Sequence, residues 1–255
     1  MPAWREYESN IREGILTMTS GWDESAQAWI ASMGEDGDWG RRHVLDGPML
    51  ARLRARGFKT AVDIGCGEGR FCREMKKLGM KTIGIDPTVA LIERAKALDP
   101  TGIYHRAAAE SLPLDDASAD LALCYLSLID IADIGSAFSE IHRVLAPGGT
   151  LLIANLQSFN TAGPPTGWTR EANGVRRFYI DRYLDERVQT VSWSGIRVQN
   201  WHRPLSAYMK PLIGLCFTLT HFDEPEPVGA EPEKAERYRR VPFFLMMEWR
   251  KGAAP

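Results

Sequence analysis

The segment Val62-Asp-Ile-Gly-Cys-Gly-Glu-Gly-Arg-Phe71 constrains the chain more than any other. It places glycines at 65, 67 and 69 between an apolar run, Thr60–Ile64, and a run with Phe71, Met75 and Leu78 at helical spacing. Glycines there permit a sharp strand-to-helix turn and let a ligand approach the backbone closely. The helix behind the turn offers free N–H groups and a positive dipole end, and Asp63 adds a carboxylate beside it. A ligand carrying both an ammonium and a carboxylate suits that mixture. A dinucleotide loop reads G-x-G-x-x-G; its third glycine falls on Arg70 here, and the acid at Asp63 would repel phosphate. A merely structural glycine turn is the competing reading.

The pattern around this turn fixes the fold class. Strands are expected at Thr60–Ile64, Thr82–Ile85, Ile103–Arg106, Ala119–Leu126 and Leu151–Asn155, with helices at Arg70–Leu78, Val89–Leu98 and Gly135–Leu145. Continuous apolar strands alternating with amphipathic helices give a parallel sheet covered on both faces, doubly wound by right-handed crossovers. Upstream, Ala26, Trp29, Ile30 and Met33 mark one helix, and Val44, Leu45, Met49, Leu50 and Leu53 a second that ends near Gly57. Downstream, residues 156–174 read as a long Gly/Pro/Thr/Asn loop, and Arg176–Tyr183 and Arg187–His202 as antiparallel strands with a turn or bulge at Ser194-Gly195. A helix over Pro204–Phe217 and strands over Phe217–Phe222 and Val241–Trp249 would finish the sheet, with the Pro- and Glu-rich stretch Glu224–Glu236 mobile between them.

A second acid, Asp86, ends the next strand in Ile83-Gly-Ile-Asp-Pro-Thr88, where a carboxylate can accept hydrogen bonds from adjacent ribose hydroxyls. Capping of the following helix is the competing role, and Thr88 is an equally good cap. VDIGCGEGRF, IGIDPT, AESLPLDDASADLALCYLSL and EIHRVLAPGGTLLIAN, in that order, resemble the successive motifs of class I S-adenosylmethionine-dependent methyltransferases. They are similar to the branch that includes quinone-biosynthesis C-methyltransferases and many small-molecule enzymes. The likeness is strong over 58–157.

The resemblance implies a Rossmann-like α/β fold, mostly parallel with an antiparallel last strand. It also implies an N-terminal helical cap (1–57), a cofactor-binding core (58–157), an inserted antiparallel β lid or interface (158–203) and a C-terminal completion of the core (204–255). The cofactor is S-adenosyl-L-methionine, its product S-adenosyl-L-homocysteine. Gly65, Cys66, Gly67, Gly69 and Phe71 are then expected at its methionine part, with Asp63 near the amino group. Asp86 is expected at the ribose, Pro87 beside the adenine, and Ala108, Ala109 and Glu110 at the adenine edge. Family members often carry Asp where this chain has Ala108, so one side-chain acceptor is missing. Tyr125 and Leu126 are expected under the methyl group, and Trp29 and Arg41 in the roof, Arg41 at the methionine carboxylate. Core packing for Trp29 and solvation for Arg41 are the rival readings.

Methyl transfer from a sulfonium releases a neutral thioether, so alignment supplies much of the catalysis and an oxygen acceptor adds the need for a base. His202, Asp130, Tyr125 and His221 are the candidate bases, His202 and Tyr125 the first choice. A structural His202 and a turn-capping Asp130 are the alternatives. Trp168, Trp201, His202 and Tyr208 are expected to line a pocket for a small, cyclic organic substrate under the aromatic-rich insertion. A homodimer interface, or stacking on RNA by aromatics beside Arg176, Arg177, Arg182 and Arg197, are the rival uses of that element. RNA or protein methylation, and a non-catalytic cofactor-binding module, remain the alternative functions. After strand four the chain reads Cys124-Tyr-Leu-Ser127, not the Asn-Pro-Pro-Tyr pattern of nucleobase or amide methylation.

Composition narrows the partners. With 31 basic and 33 acidic residues the net charge is −2, which gives no general attraction to nucleic acid or anionic membrane. The four cysteines, Cys66, Cys72, Cys124 and Cys216, have no metal-ligand spacing and read as reduced thiols, so no metal is expected. No signal-like or membrane-length apolar run occurs, so a cytoplasmic location is expected, with translation starting at Met1 or Met18.

Overall fold

The computed structural model describes residues 20–34, 36–54 and 56–252, so the choice between Met1 and Met18 lies outside the described residues. Its frame is a seven-stranded sheet. β1 (Thr60–Ile64), β2 (Lys81–Asp86), β3 (Ile103–Arg106), β4 (Ala119–Tyr125) and β5 (Leu145–Leu156) run parallel, and β10 (Phe217–Asp223) and β11 (Phe244–Lys251) complete one edge. The spatial order is β10-β11-β5-β4-β1-β2-β3, with β11 antiparallel to both of its neighbours. The expected Rossmann-like sheet with an antiparallel last strand is therefore present. Strand order reverses between β1 and β4, which is where open α/β sheets leave a crevice at the strands' carboxyl ends.

Both faces of the sheet are buried, as the unbroken apolar strands require. On one face Phe138, Ile141 and Val144 of α5 (Ile134–Val144) pack with Val62, Leu151 and Trp249. On the other, Met49 of α2 (Asp46–Leu53) and Phe71 and Met75 of α3 (Arg70–Lys77) pack with Leu121, Leu123 and Met246. α4 (Val89–Leu98) covers the β2–β3 edge through Ile92 and Ala95 against Tyr104. α1 (Trp22–Met33) crosses above the crevice, and a five-residue π-helical turn, Arg41–Leu45, leads into α2 beside it. All four cysteines are free, and no described helix is long and apolar enough to cross a membrane.

The region after β5 is more ordered than its composition suggests. Residues 156–174 contain α6 (Ser158–Ala162) and β6 (Gly167–Arg170), which pairs with β7 (Arg176–Tyr179) as a hairpin. β7 stops at Tyr179, and Arg187–His202 is itself a hairpin: β8 (Arg187–Trp193) turns at Ser194 and Gly195, both in the left-handed region, and returns as β9 (Ile196–His202). Glu224–Glu236 is not a free tether. Pro232 opens α8 (Pro232–Arg240), where a proline loses no needed N–H, Ala235 is buried, and the Val228 N–H donates to the His43 carbonyl. α7 (Leu205–Gly214) is shorter than expected, and β5 starts earlier, absorbing Gly148-Gly149 in a register shift against β4.

The β8–β9 hairpin is tied to its surroundings at both ends of β9. The Ser25 hydroxyl of α1 bonds both the Arg197 N–H and the Arg197 carbonyl at 3.0 Å. Gly21 has φ +79, and a Cβ there would lie 2.4 Å from the Arg197 carbonyl oxygen. At the other end of β9 the Trp201 N–H donates to Ile129 at 2.7 Å, and the buried Arg203 guanidinium donates to the carbonyls of Leu128, Ile131 and Ala132 at 3.2, 2.8 and 2.7 Å. Arg203 also lies over the Trp201 ring at 4.6 Å. One cation thus satisfies three carbonyls of the loop that follows β4. Arg203→Ala is expected to lower stability by about 3 kcal/mol, read from urea unfolding, because those carbonyls lose a charged donor inside the fold; hydrogen exchange in 128–133 should speed up ahead of global unfolding.

Candidate active site

A cavity of about 270 Å³ opens at the carboxyl ends of β1, β2 and β4, beneath α1 and the Arg41–Leu45 turn. Its floor is the glycine bend. Gly65 and Cys66 both donate their N–H to the Ile85 carbonyl, at 2.8 and 3.0 Å, which folds the bend against β2. Gly65 has φ +75, and a Cβ on it would sit 2.3 Å from the Ser127 Cβ. Only a glycine lets β1 turn so close to the chain leaving β4, where Ser127 itself donates to the Ile64 carbonyl at 2.6 Å.

Two buried acids flank the bend. Asp63 is 1% exposed; its Oδ2 receives only the Cys72 thiol at 3.5 Å, and its Oδ1 has no hydrogen-bond partner. Burial pushes its carboxyl up to about 7, and the charge on Asp86 adds to the rise. Asp86 accepts the Gly67 N–H at 3.0 Å and the Thr88 N–H at 2.9 Å. Burial raises its pKa too, although both of those backbone bonds favour the charged form. The Thr88 side chain is a third partner, and a carboxylate's roughly four acceptor sites leave room for a further donor. Of the competing helix-capping role, the Thr88 hydroxyl takes no part, since it makes no cap bond, while Asp86 accepts the Thr88 N–H just ahead of the helix.

An orphaned buried carboxylate oxygen, a backbone cradle that a Cβ would fill and a two-lone-pair acid one strand away fit an amino-acid nucleoside. Trp29 roofs the bend, 3.0 Å from where a Gly67 Cβ would lie, and Phe71 stands edge-on to Tyr125 with centroids 4.8 Å apart. Pro87, Leu91 and Ala107–Glu110 form the far wall. Cys66, Ala108, Ala109, Leu126 and Arg41 also line the cavity. Gly69 lies behind it: a Cβ there would meet the Tyr104 ring at 2.7 Å, so this glycine serves packing. Among the described residues no group of three or more His, Cys, Asp or Glu side chains is placed to hold a metal.

The near wall holds groups that the sequence reading underweighted. Arg70 donates twice to Asp46, at 2.9 and 2.7 Å, and the Tyr125 hydroxyl donates to the same carboxylate at 2.7 Å. Burial and the Asp46 charge hold the Tyr125 hydroxyl well above its usual pKa, and its proton is engaged by Asp46 rather than turned to the cavity. Arg41 pairs with Asp38 at 2.6 Å while lying over the Tyr125 ring at 5.5 Å. Asp130, at the end of a turn closed by its N–H on the Ser127 carbonyl, faces the cavity. The Asn200 amide donates to it at 2.6 Å, and the Trp22 side chain is a second partner. Burial pushes its carboxyl up to about 7. Trp22 lies in no motif, and Arg70 lies inside the glycine segment without a role assigned to it. Arg70 entered the sequence reading only as the residue that breaks the dinucleotide pattern.

Four expected substrate residues stand elsewhere. His202 is buried with both ring nitrogens engaged, one with the Thr161 hydroxyl at 2.7 Å and one with the Tyr183 carbonyl at 2.9 Å. It has no nitrogen left for a substrate proton, so the catalytic reading of His202 gives way to its structural alternative. Tyr208 is 2% exposed within the core packed on α5. Trp168 stacks edge-on with Phe178 in the β6–β7 hairpin, under Arg240, and Trp201 is taken up by Arg203. None of the four lines the cavity. His221, on the edge strand β10, does not either.

Comparison with known proteins agrees with this geometry. A family profile described as a methyltransferase domain matches residues 62–153. Malonyl-acyl-carrier-protein O-methyltransferase of Pseudescherichia vulneris is 31% identical over 150 residues, 58% of this chain and 59% of that protein. The Salmonella typhimurium enzyme of the same name is 26% identical over 221 residues, 84% of each chain. Among solved structures, an S-adenosylmethionine-dependent methyltransferase from Mesorhizobium loti is 30% identical, with a TM-score of 0.74 over 86% of this chain and 100% of that one. Sheet order, glycine bend and a 30% identity with the Mesorhizobium loti enzyme across 86% of this chain converge: the chain belongs to the class I S-adenosylmethionine-dependent methyltransferases.

Proposed function

We propose that this enzyme methylates a small organic molecule, with Asp63, the 65–69 bend and Asp86 holding the methyl donor. The observation that carries the reading is the unpartnered Oδ1 of Asp63, buried beside a bend whose Gly65 leaves no room for a Cβ. An ammonium brought there would satisfy an atom that otherwise bears an uncompensated desolvation cost. The donor supplies an electrophilic methyl and a neutral leaving thioether. The chain's own part is to orient and enclose. Asp86 is assigned to the ribose hydroxyls, Pro87 and Ala108–Glu110 to the adenine, and Trp29 and Arg41 to the lid over the methionine part, Arg41 bridging its carboxylate while paired to Asp38. Tyr125 and Leu126 border the methyl, Tyr125 as a fixed wall locked by Asp46. A cleft of about 270 Å³ whose lining arginines are both paired to carboxylates supports a small acceptor over a nucleic-acid strand. Residues 158–203 serve in this reading as a brace for the 128–132 loop rather than a moving lid. Label carried from methyl-labelled donor to low-mass products in a deproteinised extract tests the class; label retained only on macromolecules overturns it.

The Asp63 carboxyl gives a pH signature. Its native pKa of about 7 means the free protein holds an extra proton below that pH, and an ammonium ligand favours the ionised form. Binding must then expel the proton, so affinity rises with pH up to about 7 and levels above it. Calorimetry with S-adenosylhomocysteine between pH 5.5 and 7.5 should show Kd increasing by about tenfold per unit below 7. Asp63→Asn should bind weakly and lose that slope. Asp86→Ala should weaken binding at every pH. Gly65→Ala should cost at least about 2 kcal/mol in urea unfolding and abolish binding, because its Cβ collides with Ser127 at a left-handed φ.

A further inference from the structure

The charges around the cavity are unequal. Its cations are Arg41 and Arg70, and each already has a carboxylate partner, Asp38 and Asp46 respectively. Its acids are Asp63, Asp86, Glu110 and Asp130. Asp63 and Asp86 belong to the donor's amino and ribose groups in the reading above, and Glu110 accepts the Asp133 N–H at the adenine wall. Asp130 has no such assignment. Tyr125 and Leu126 border the methyl in the reading above, and Asp130 follows Leu126 by four residues on the loop that leaves β4, in a turn closed on Ser127, and lines the same cavity. It is also built in: Asn200 reaches it from β9 and Trp22 from α1, two elements distant in sequence that meet on one carboxylate. A carboxylate has about four acceptor sites, and these two donors leave room for a third group. With Arg41 assigned to the donor's own carboxylate and Arg70 held twice by Asp46, no cation among the described lining residues is left to receive an anionic acceptor.

We propose that Asp130 receives the proton of the methyl acceptor, and that the acceptor is an uncharged or cationic molecule whose nucleophile is an O–H or N–H group. This rests on the small-molecule reading given above. In the step, the acceptor's lone pair forms a bond to the methyl carbon and the carbon–sulfur bond breaks with its pair on sulfur. The acceptor's O–H or N–H bond breaks as its proton passes to the Asp130 carboxylate. Products are the methylated acceptor, the neutral thioether and the protonated acid, which returns its proton to water on release. A carboxylate acceptor needs no such base and would be repelled here. The assignment therefore separates this chain from relatives named for a malonyl substrate, whose malonyl group carries a carboxylate.

The test incubates the full chain with methyl-labelled donor and a deproteinised cell extract split by anion exchange into an unretained fraction of neutral and cationic compounds and a retained anionic fraction. Malonyl-N-acetylcysteamine is added separately as a defined carboxylate. Label is expected in unretained compounds and should survive mild alkali, which cleaves methyl esters. Asp130→Asn should then lower kcat on the order of 100-fold or more, with S-adenosylhomocysteine affinity by calorimetry within about twofold of wild type. Asp130→Glu, which keeps a base, should recover part of that loss. Label from the retained fraction or on the malonyl thioester, an alkali-labile product, or a wild-type kcat in Asp130→Asn would each overturn the proposal. So would loss of homocysteine-nucleoside binding in both variants, which would make Asp130 scaffold. No label in any fraction, with that ligand still bound, would instead bring down the methyl-transfer reading on which the proposal stands.

Discussion

The site depends on how closely two chain segments meet at the carboxyl ends of β1 and β4. Gly65 turns within reach of Ser127, at a distance no Cβ allows, and the Ser127 hydroxyl answers by donating to Ile64. That contact places Asp63 at the bottom of the bend and starts the loop that carries Asp130. Parallel pairing of β1 with both β2 and β4 makes the meeting unavoidable, since the reversal of strand order leaves the crevice there and nowhere else along the sheet. A larger residue at 65 would have to push β4's exit outward, and the cavity wall with it.

Burial then sets the chemistry. The glycine bend, α1 and the Arg41–Leu45 turn bury Asp63 fully and Asp130 in part, and desolvation raises each carboxyl to about 7 more than any neighbouring charge does. Both groups therefore sit near the protonation midpoint at neutral pH, where a small change in partner decides their state. The cations nearby do not undo this because they are already committed. Arg70 and Tyr125 converge on Asp46, and Arg41 on Asp38, so the positive charge in the wall is spent on holding the wall together.

What could be read in the sequence was what local pattern encodes. The strand from Thr60 to Ile64 and the helix from Val89 to Leu98 appear at the expected residues because apolar period and turn glycines fix them without help from distant chain. Phe71 and Asp86 line the cavity for the same reason: Phe71 lies two residues past the bend, and Asp86 ends the neighbouring strand that the same alternation places beside it. The substrate side was misread where the decision was tertiary. Aromatic content in 158–203 suggested a lined pocket, yet Trp168 and Trp201 are consumed by hairpin packing and by two arginines, and His202 by two local acceptors or donors. No periodicity distinguishes an aromatic that faces a ligand from one that faces Arg203.

Asp130 shows the limit from the other side. Its sequence neighbours, Leu128, Ile129 and Ile131, offer it no polar partner, and read alone it is a turn residue after a strand. Its environment comes from Trp22, more than a hundred residues before, and Asn200, seventy residues after. Those partners reach it only because Arg203 and the Trp201 backbone hold β9 against the 128–132 loop, and because Ser25 and Gly21 hold β9 against α1. The inserted hairpin thus bears on the cavity without lining its floor. It fixes the direction of one carboxylate, and a shift of β9 along α1 would redirect that carboxylate while leaving the glycine bend intact. Acceptor choice can then vary through the insertion while cofactor geometry stays with the sheet, a division of labour that follows from which element touches which acid.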